Sequence, residues 1–475
     1  MTIGIMKTGA WLLAACGVAL CGGIDLRAEP VAGQIATATK PSALPPPTEP
    51  VAQPNRDAFS AMRYGIFIHN VYKLTAAPVG AEYESPDEFA NLFDVQAFAD
   101  QMSEIGVEYV IFTLWHEGMY NLGPNSVIEK WLPGHTTRRD LIGDLADALA
   151  AKKIALVLYT SPNDAKLSPE DQAKVGFIKN DKSAPIPMPV FNDFMNEVYA
   201  EVAERYSKRP NVLGFFWDGW ADVGFRLDVM RLRDTLRTNF PEAIVLSQTP
   251  RPGVIDFPYY AKDYNRPESD DIDLIPARSI GQCATFAGPW YRPTAGRPGK
   301  PVLSAETIFR FTVFNAGAGG PGGMGWAVSP LADGNTWGVD DDEPLPTFRT
   351  VNSYIQPIRE SLCGVAPSRN WTLPDKTTFS EAPAYVATRS LDGNREYVHI
   401  LKPGEGKSVA LTKPVEEFLS ARLLVSGRPV KMERGPDSLV LTLGPDDSWD
   451  PLDTVIVLEK TVAASAAEGE NLKAQ

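Results

Sequence analysis

Candidate chemistry in this chain gathers where apolar runs stop. Val212-Leu213-Gly214-Phe215-Phe216-Trp217 is an unbroken apolar run that ends on Asp218-Gly219-Trp220. Such a run suits a strand buried on both faces. An acid at the carboxyl end of a buried parallel strand is where barrel enzymes place catalytic groups. Two of the chain's four histidines stand in the same kind of place. His69 closes the short run Tyr64 to Ile68, and His116 follows Tyr109 to Leu114, with Trp115 before it and Glu117 after it. Histidines, a carboxylate and tryptophans at strand ends describe a polar pocket with aromatic walls. That composition suits a sugar ring, whose hydroxyls need hydrogen-bond partners and whose faces need flat apolar surface. Trp115, Trp217, Trp220 and Trp290 are the candidate walls. Hydrolysis of a glycosidic bond needs two carboxyl groups, one to attack or to activate water and one to protonate the leaving oxygen. Asp218 is the first candidate, and Glu82, Glu84, Asp263, Glu268 and Glu306 are loop candidates for the second. From Val212–Asp222 alone, a strand merely capped by Asp-Gly remains the plainer alternative.

These side chains need elements to hold them. Strand-like runs at 64–68, 109–114, 154–159, 212–217 and 243–247 alternate with segments of helical spacing at 95–105, 139–151, 191–206 and 227–240. Repeated strand–helix units predict a parallel sheet. Several polar strand ends at one mouth favour a (β/α)8-like barrel over an open sheet. From Pro250 to Asp342 the pattern loosens, with glycines crowding Gly317 to Gly325, and it reads as a long loop returning to the barrel. Phe348 to Leu362 reads as the closing helix. From about Thr372 short alternating segments separated by turns, at 384–387, 397–401, 421–425, 439–441 and 454–458, predict an antiparallel β-sandwich.

The chain divides accordingly into an apolar leader (1–28), an Ala/Pro-rich linker (29–56), a barrel (57–371), a sandwich (372–461) and a polar tail (462–475). Lys7, the apolar run Ala10 to Leu20 and Ala28 before Glu29 form the pattern of an export signal, which predicts a periplasmic or extracellular protein. Leu13-Ala14-Ala15-Cys16 also resembles a lipoprotein box, so a lipid anchor at Cys16 is the alternative. The leader is short and broken for a membrane span. The net charge of −14 argues against nucleic acid or an anionic membrane as partner. Cys283 and Cys363 remain after the leader, and export permits a disulfide that the sequence cannot assign. With no CxxC and no His/Cys cluster, a zinc site is not expected.

The motifs, in order, resemble the α-L-fucosidases of glycoside hydrolase family 29. Tyr64 to His69 resembles the family's FGIFIHWG segment, Glu82-Tyr83 its Glu-Trp-Tyr stretch and Val110 to Met119 its VLTAKHHDGF. Arg139-Asp140-Leu141 matches its RDL helix start, and Phe215 to Gly219 resembles its Trp-Phe-Asp-Gly. Asp263 to Glu268 is similar to D-Y-x-T-P-E, and Ser329 to Gly334 to GPxxDG. The resemblance implies a retaining exo-glycosidase with a sandwich behind the barrel and no metal or organic cofactor. It implies Asp218 as nucleophile, with His69 and His116 on sugar hydroxyls, and a glycan as partner. The family's acid/base is poorly marked by sequence; Glu268 ranks first, Glu82 second and Glu306 third. There are departures. Trp115 replaces the first histidine of the family's HHDG, Glu117 replaces its aspartate and Asn70 replaces the tryptophan after IH. Two alternatives follow: a related enzyme for another deoxy- or galacto-configured sugar or a fucose-rich polysaccharide, and a carbohydrate-binding protein on a decayed scaffold.

Overall fold

The computed structural model describes residues 53–178, 187–221, 226–262, 280–284, 303–335, 344–374, 377, 379–381 and 383–460. In chain order the first elements are α1 (Pro54–Ala61), β1 (Tyr64–Ile68), α2 (Pro86–Leu92), α3 (Val95–Glu104), β2 (Tyr109–Thr113), α4 (Ser126–Trp131) and α5 (Leu141–Ala151). Next come β3 (Ala155–Thr160), α6 (Pro169–Lys174), α7 (Pro189–Tyr206), β4 (Val212–Trp217), α8 (Val229–Asn239) and β5 (Ile244–Ser247). Then follow β6 (Phe257–Lys262), β7 (Ile280–Ala284), α9 (Ala305–Ala318) and β8 (Met324–Val328). β1 to β8 are parallel and pair in sequence order, and β8 returns to β1, so the sheet closes on itself. Every residue of β1, β2, β3 and β4 is buried, as expected for strands covered on both sides. Strand and helix do not alternate strictly, because residues 248–256 join β5 to β6 without a helix.

Local chemistry sets the helix starts. The Arg139-Asp140-Leu141 motif is a cap: the Asp140 carboxylate accepts the Gly143 N–H at 2.9 Å and the Tyr206 hydroxyl at 2.8 Å. Arg139 donates to the carbonyls of Ala90 and Phe93, tying the start of α5 to the end of α2. Ser85 and Glu88 form a reciprocal capping box on α2. In β4, Gly214 has φ 152°, and a Cβ there would lie 2.1 Å from the Ile244 carbonyl oxygen of β5. Only glycine lets β5 approach at this register shift between β3 and β4.

After β8 come α10 (Pro344–Ile355), a 3-10 turn at Gln356–Ile358, and α11 (Arg359–Leu362), so the single closing helix expected at 348–362 is broken. Then come β9 (Val365–Pro367), β10 (Tyr385–Ser390), β11 (Arg395–Ile400), β12 (Ser408–Thr412), β13 (Ser420–Leu423), β14 (Lys431–Arg434), β15 (Ser438–Thr442) and β16 (Thr454–Glu459). They make a five-stranded sheet of order β13-β16-β11-β10-β9 and a three-stranded sheet of order β12-β15-β14, with antiparallel pairing. One face of the larger sheet (Val398, Ile400, Ile456) shares a core with Leu411 and Leu441 of the smaller. The other face (Val386, Tyr397, Val455, Val457) joins the core of the barrel.

Two expectations change. Residues 250–342 are not one long loop, since they hold α9 and β8. Gly317 ends α9 where a Cβ would lie 3.0 Å from the Ala387 nitrogen of β10. The glycine that argued against a helix permits the close packing of that helix. The sheets also reach back before residue 372, because β9 pairs with β10. The leader, the linker through Val51 and Ala52, and the tail lie outside the described residues, and with them the export and lipid-anchor expectations. Among the described residues no helix is long and apolar enough to cross a membrane.

Candidate active site

The carboxyl ends of β1, β2, β3 and β4 bring together four polar side chains. Asp218 follows β4, where its N–H donates to the Thr160 carbonyl at 2.9 Å, holding the turn against the end of β3. The Tyr159 hydroxyl donates to Asp218 Oδ2 at 2.6 Å, and the Gly219 N–H donates to Oδ1 at 2.9 Å. Both carboxylate oxygens are therefore oriented, in a side chain that is only partly buried. Tyr159 itself is buried at the end of β3, and burial with the adjacent Asp218 charge raises its hydroxyl well above the usual phenol range. It remains a neutral donor.

The histidines close the other side. The His116 ring stacks on Tyr159 with centroids 5.4 Å apart and planes 11° apart. His69 meets Tyr159 at 4.7 Å and His116 at 5.3 Å, both edge to face. Burial lowers His69 well below the usual imidazole range, and His116 lowers it further. Burial, with a smaller contribution from Lys166, holds His116 down at about 4. Both rings are neutral near pH 7, able to donate or accept a hydroxyl's hydrogen bond. Under them, Phe67 packs at 4.7 Å from His69, and Phe216 stacks on Tyr159 at 5.5 Å. The cluster is thus a carboxylate, a phenol and two neutral imidazoles over an apolar floor. Among the described residues no group of three or more His, Cys, Asp and Glu side chains could hold a metal ion.

The remaining candidates fare differently. Trp115 and Trp217 are fully buried and both pack on Tyr199 of α7, at 5.2 Å and 5.6 Å. Trp115 also donates to the Ser161 carbonyl at 3.1 Å. They are core residues rather than sugar platforms, because each faces the helix layer. Trp220 is 6% exposed and donates to Ser247 Oγ at 2.9 Å, bridging the ends of β4 and β5, with the Arg251 guanidinium 5.8 Å from its ring. Glu117 is ion-paired to Lys166 beside His116. Glu82 and Glu84 are exposed on the loop between β1 and α2. Glu306 sits in the first turn of α9 and pairs with Arg310 at 3.3 Å; Arg310 in turn reaches the Leu401 carbonyl. Asp263, Glu268 and Trp290 lie outside the described residues. Sequence reasoning missed Tyr159. The strand ending there is legible, but a tyrosine at a strand end passes for packing unless its hydroxyl meets a charge.

Comparison with known proteins bears on this arrangement. Residues 79–302 match the family model described as Alpha-L-fucosidase. Over that stretch the chain is similar to the α-L-fucosidases of glycoside hydrolase family 29. Solved structures share the fold. α-L-Fucosidase isoenzyme 1 from Paenibacillus thiaminolyticus superposes with a TM-score of 0.58 at 19% identity, covering 86% of this chain and 99% of the other. A family 29 α-L-fucosidase from Bacteroides thetaiotaomicron gives 0.59 at 14% identity, covering 87% and 97%. The α-fucosidase of Thermotoga maritima gives 0.56 at 17% identity, covering 86% and 97%. A search of curated proteins returns no match. The family match runs through β2, β3, β4 and β5 and so includes His116, Tyr159 and Asp218, while His69 lies before it.

Proposed function

We propose that the protein is an exported, retaining exo-α-L-fucosidase on a (β/α)8-like barrel, with Asp218 as its nucleophile. The observation that carries this reading is the carboxylate of Asp218 at a strand's carboxyl end, oriented through both oxygens and faced by neutral His69 and His116. In a retaining mechanism Asp218 attacks the anomeric carbon while a second carboxyl group protonates the leaving oxygen, and that group then activates water against the glycosyl-enzyme. Tyr159 holds Asp218 in line for attack and gives up its hydrogen bond as carboxylate charge passes into the new ester. His69 and His116 hydrogen-bond ring hydroxyls. Glu268 is the first choice for the acid/base, Glu82 the second. Glu306 is set aside for its pairing with Arg310.

A second reading keeps the chemistry and changes the sugar. It is favoured by Trp115, which stands where the family has a histidine and is buried in the helix layer, so that contact is not replaced. A panel of nitrophenyl glycosides separates the two readings and also tests for a non-catalytic carbohydrate-binding protein. The decisive experiment on mechanism is Asp218→Gly. Turnover should fall by about 10³-fold or more, and azide should restore activity while yielding a fucosyl azide of inverted configuration. Near-parental turnover in a folded Asp218→Gly protein removes the assignment. In the same assay, alanine at the true acid/base should spare activated aryl fucosides, and azide should then give a product of retained configuration.

A further inference from the structure

The turn that carries His116 into the site is held more tightly than a loop requires. After His116 the chain makes a 3-10 turn at Glu117–Met119, in which Gly118 (φ 71°) and Met119 (φ 55°) are left-handed. It docks on the loop after β3, where Ala165 (φ 42°) and Lys166 (φ 53°) are left-handed as well. Non-glycine residues are rarely found in that region, and such strain persists only where surrounding contacts over-determine it. Those contacts are present. The Gly118 N–H donates to the Ala165 carbonyl at 2.6 Å, and His135 Nδ1–H donates to the Gly118 carbonyl at 2.7 Å. His135 is itself stacked on Tyr120 at 4.4 Å, and Lys73 donates to the Tyr120 hydroxyl at 2.7 Å. Across the contact Lys166 is ion-paired to Glu117.

His116, by contrast, has little of its own to hold it. Its Nδ1 is buried and has no hydrogen-bond partner among the described residues. The ring's orientation must come from the stack on Tyr159 and from the turn behind it. We infer that Glu117 and Lys166 are positioning residues for His116: their ion pair locks the turn so that the ring stays on Tyr159. Glu117, one of the carboxylates at the strand ends, thereby acts through its neighbour.

Charge explains why a pair is used. The groups around His116 are His69 from β1, Tyr159 from β3 with Asp218 beyond its hydroxyl, Glu117 on the same turn and Lys166 on the facing loop. Lys73 stands behind Tyr120. Burial already keeps the ring neutral; an isolated Lys166 would add to that but leave an exposed cation to recruit anions to the rim. An isolated Glu117 carboxylate would favour a charged imidazole. A protonated ring could only donate hydrogen bonds, whereas a neutral one offers both a donor and an acceptor to adjacent sugar hydroxyls. That last step rests on the fucosidase reading; the effect on the ring does not.

The test follows the ring directly. With four histidines in the chain, selective ¹³C-histidine labelling gives few signals, and His116→Gln assigns the one of interest. Lys166→Met leaves the Glu117 carboxylate unopposed and should move the His116 titration to higher pH by about half a unit or more. Glu117→Gln should move it to lower pH, and the double variant should lie between them. Glu117→Asp keeps the charge but shortens the arm, so it should leave the titration near that of the parent while raising KM for an aryl fucoside several-fold with a smaller change in kcat. Opposite shifts in the two single variants are something that lost packing alone does not produce. Shifts of one sign in both, or none in either while thermal melting stays cooperative, overturn the assignment. If Lys166→Met does not fold, the sign of the Glu117→Gln shift and the KM of Glu117→Asp still decide it. Opposite shifts in a protein that cleaves no fucoside would instead count against the proposed function alone.

Discussion

At the scale of single residues the site depends on charge held in a defined state. The hydrogen bond from Tyr159 to Asp218 joins a neutral donor to a carboxylate, and such bonds contribute about 1.5–3 kcal/mol. Tyr159→Phe keeps the ring that His116 and Phe216 stack on and removes only the hydroxyl. kcat/KM should fall about 10–100-fold, with the melting temperature little changed; an unchanged rate would show that Asp218 does not need this donor. The buried imidazoles predict a pH effect of definite sign. His116 is depressed from 6.5 to about 4 in the folded chain, so between those values the unfolded chain binds more protons. Stability therefore rises with pH across that window, and the full penalty is present below pH 4. The His116 ring is partly exposed, which limits its share to about 2 kcal/mol. Denaturation followed from pH 7 to pH 4 should show a smaller loss in His116→Gln than in the parent. Asp218, His69 and His116 were legible because a polar side chain at the end of a buried apolar run gives up hydration, which a fold tolerates mainly where the group is used. Trp115 and Trp217 misled through their neighbours. Next to a candidate catalytic position, a tryptophan on the outward side of a strand reads like one on the inward side until the register is known.

At the scale of elements, the site depends on how closely the barrel strands can approach. Gly214 allows the Ile244 carbonyl of β5 to occupy space that any Cβ would take, two positions before Phe216 and four before Asp218. The clash is with backbone on a buried strand and cannot be relieved by a rotamer. Gly214→Ala should therefore cost about 3 kcal/mol or more, seen as a large drop in melting temperature, and any folded fraction should lose activity as β4 shifts; a melting temperature near the parent's would show that β5 can move. The strands β1 to β5 were readable from their apolar runs, and the helices between them from period and caps. The segment holding α9 and β8 was not. Its glycines serve close packing, as Gly317 does against β10, and composition alone cannot separate that use from a flexible loop. β12 and β14 were missed because they are short strands of the smaller sheet with largely exposed outer faces, so the apolar signal is thin.

At the scale of the whole molecule, the sheets at the carboxyl end are part of what keeps the barrel closed. β8, the strand that completes the ring, follows α9, and α9 is covered by β10. Arg310 on α9 donates to the Leu401 and Pro451 carbonyls, and the Thr388 hydroxyl of β10 donates to the Ser361 carbonyl at 2.6 Å. The face carrying Val386, Tyr397, Val455 and Val457 has no solvent-exposed alternative, since it belongs to the barrel's own core. His399 lies on the same strand face, fully buried, with its Nδ1 2.6 Å from Asp453 Oδ2. This buried couple needs the sheet in place. Residues from 372 onward are therefore expected to be structural. Deleting them removes β10 to β16, strands the β9 edge and uncovers α9, so the truncated chain should aggregate or lose cooperative melting. Activity should fall with the folded fraction, while KM measured on whatever remains folded should hold. A soluble truncate with parental kcat/KM would show that the barrel closes without the sheets. A folded truncate with a changed KM would show that they reach the sugar site.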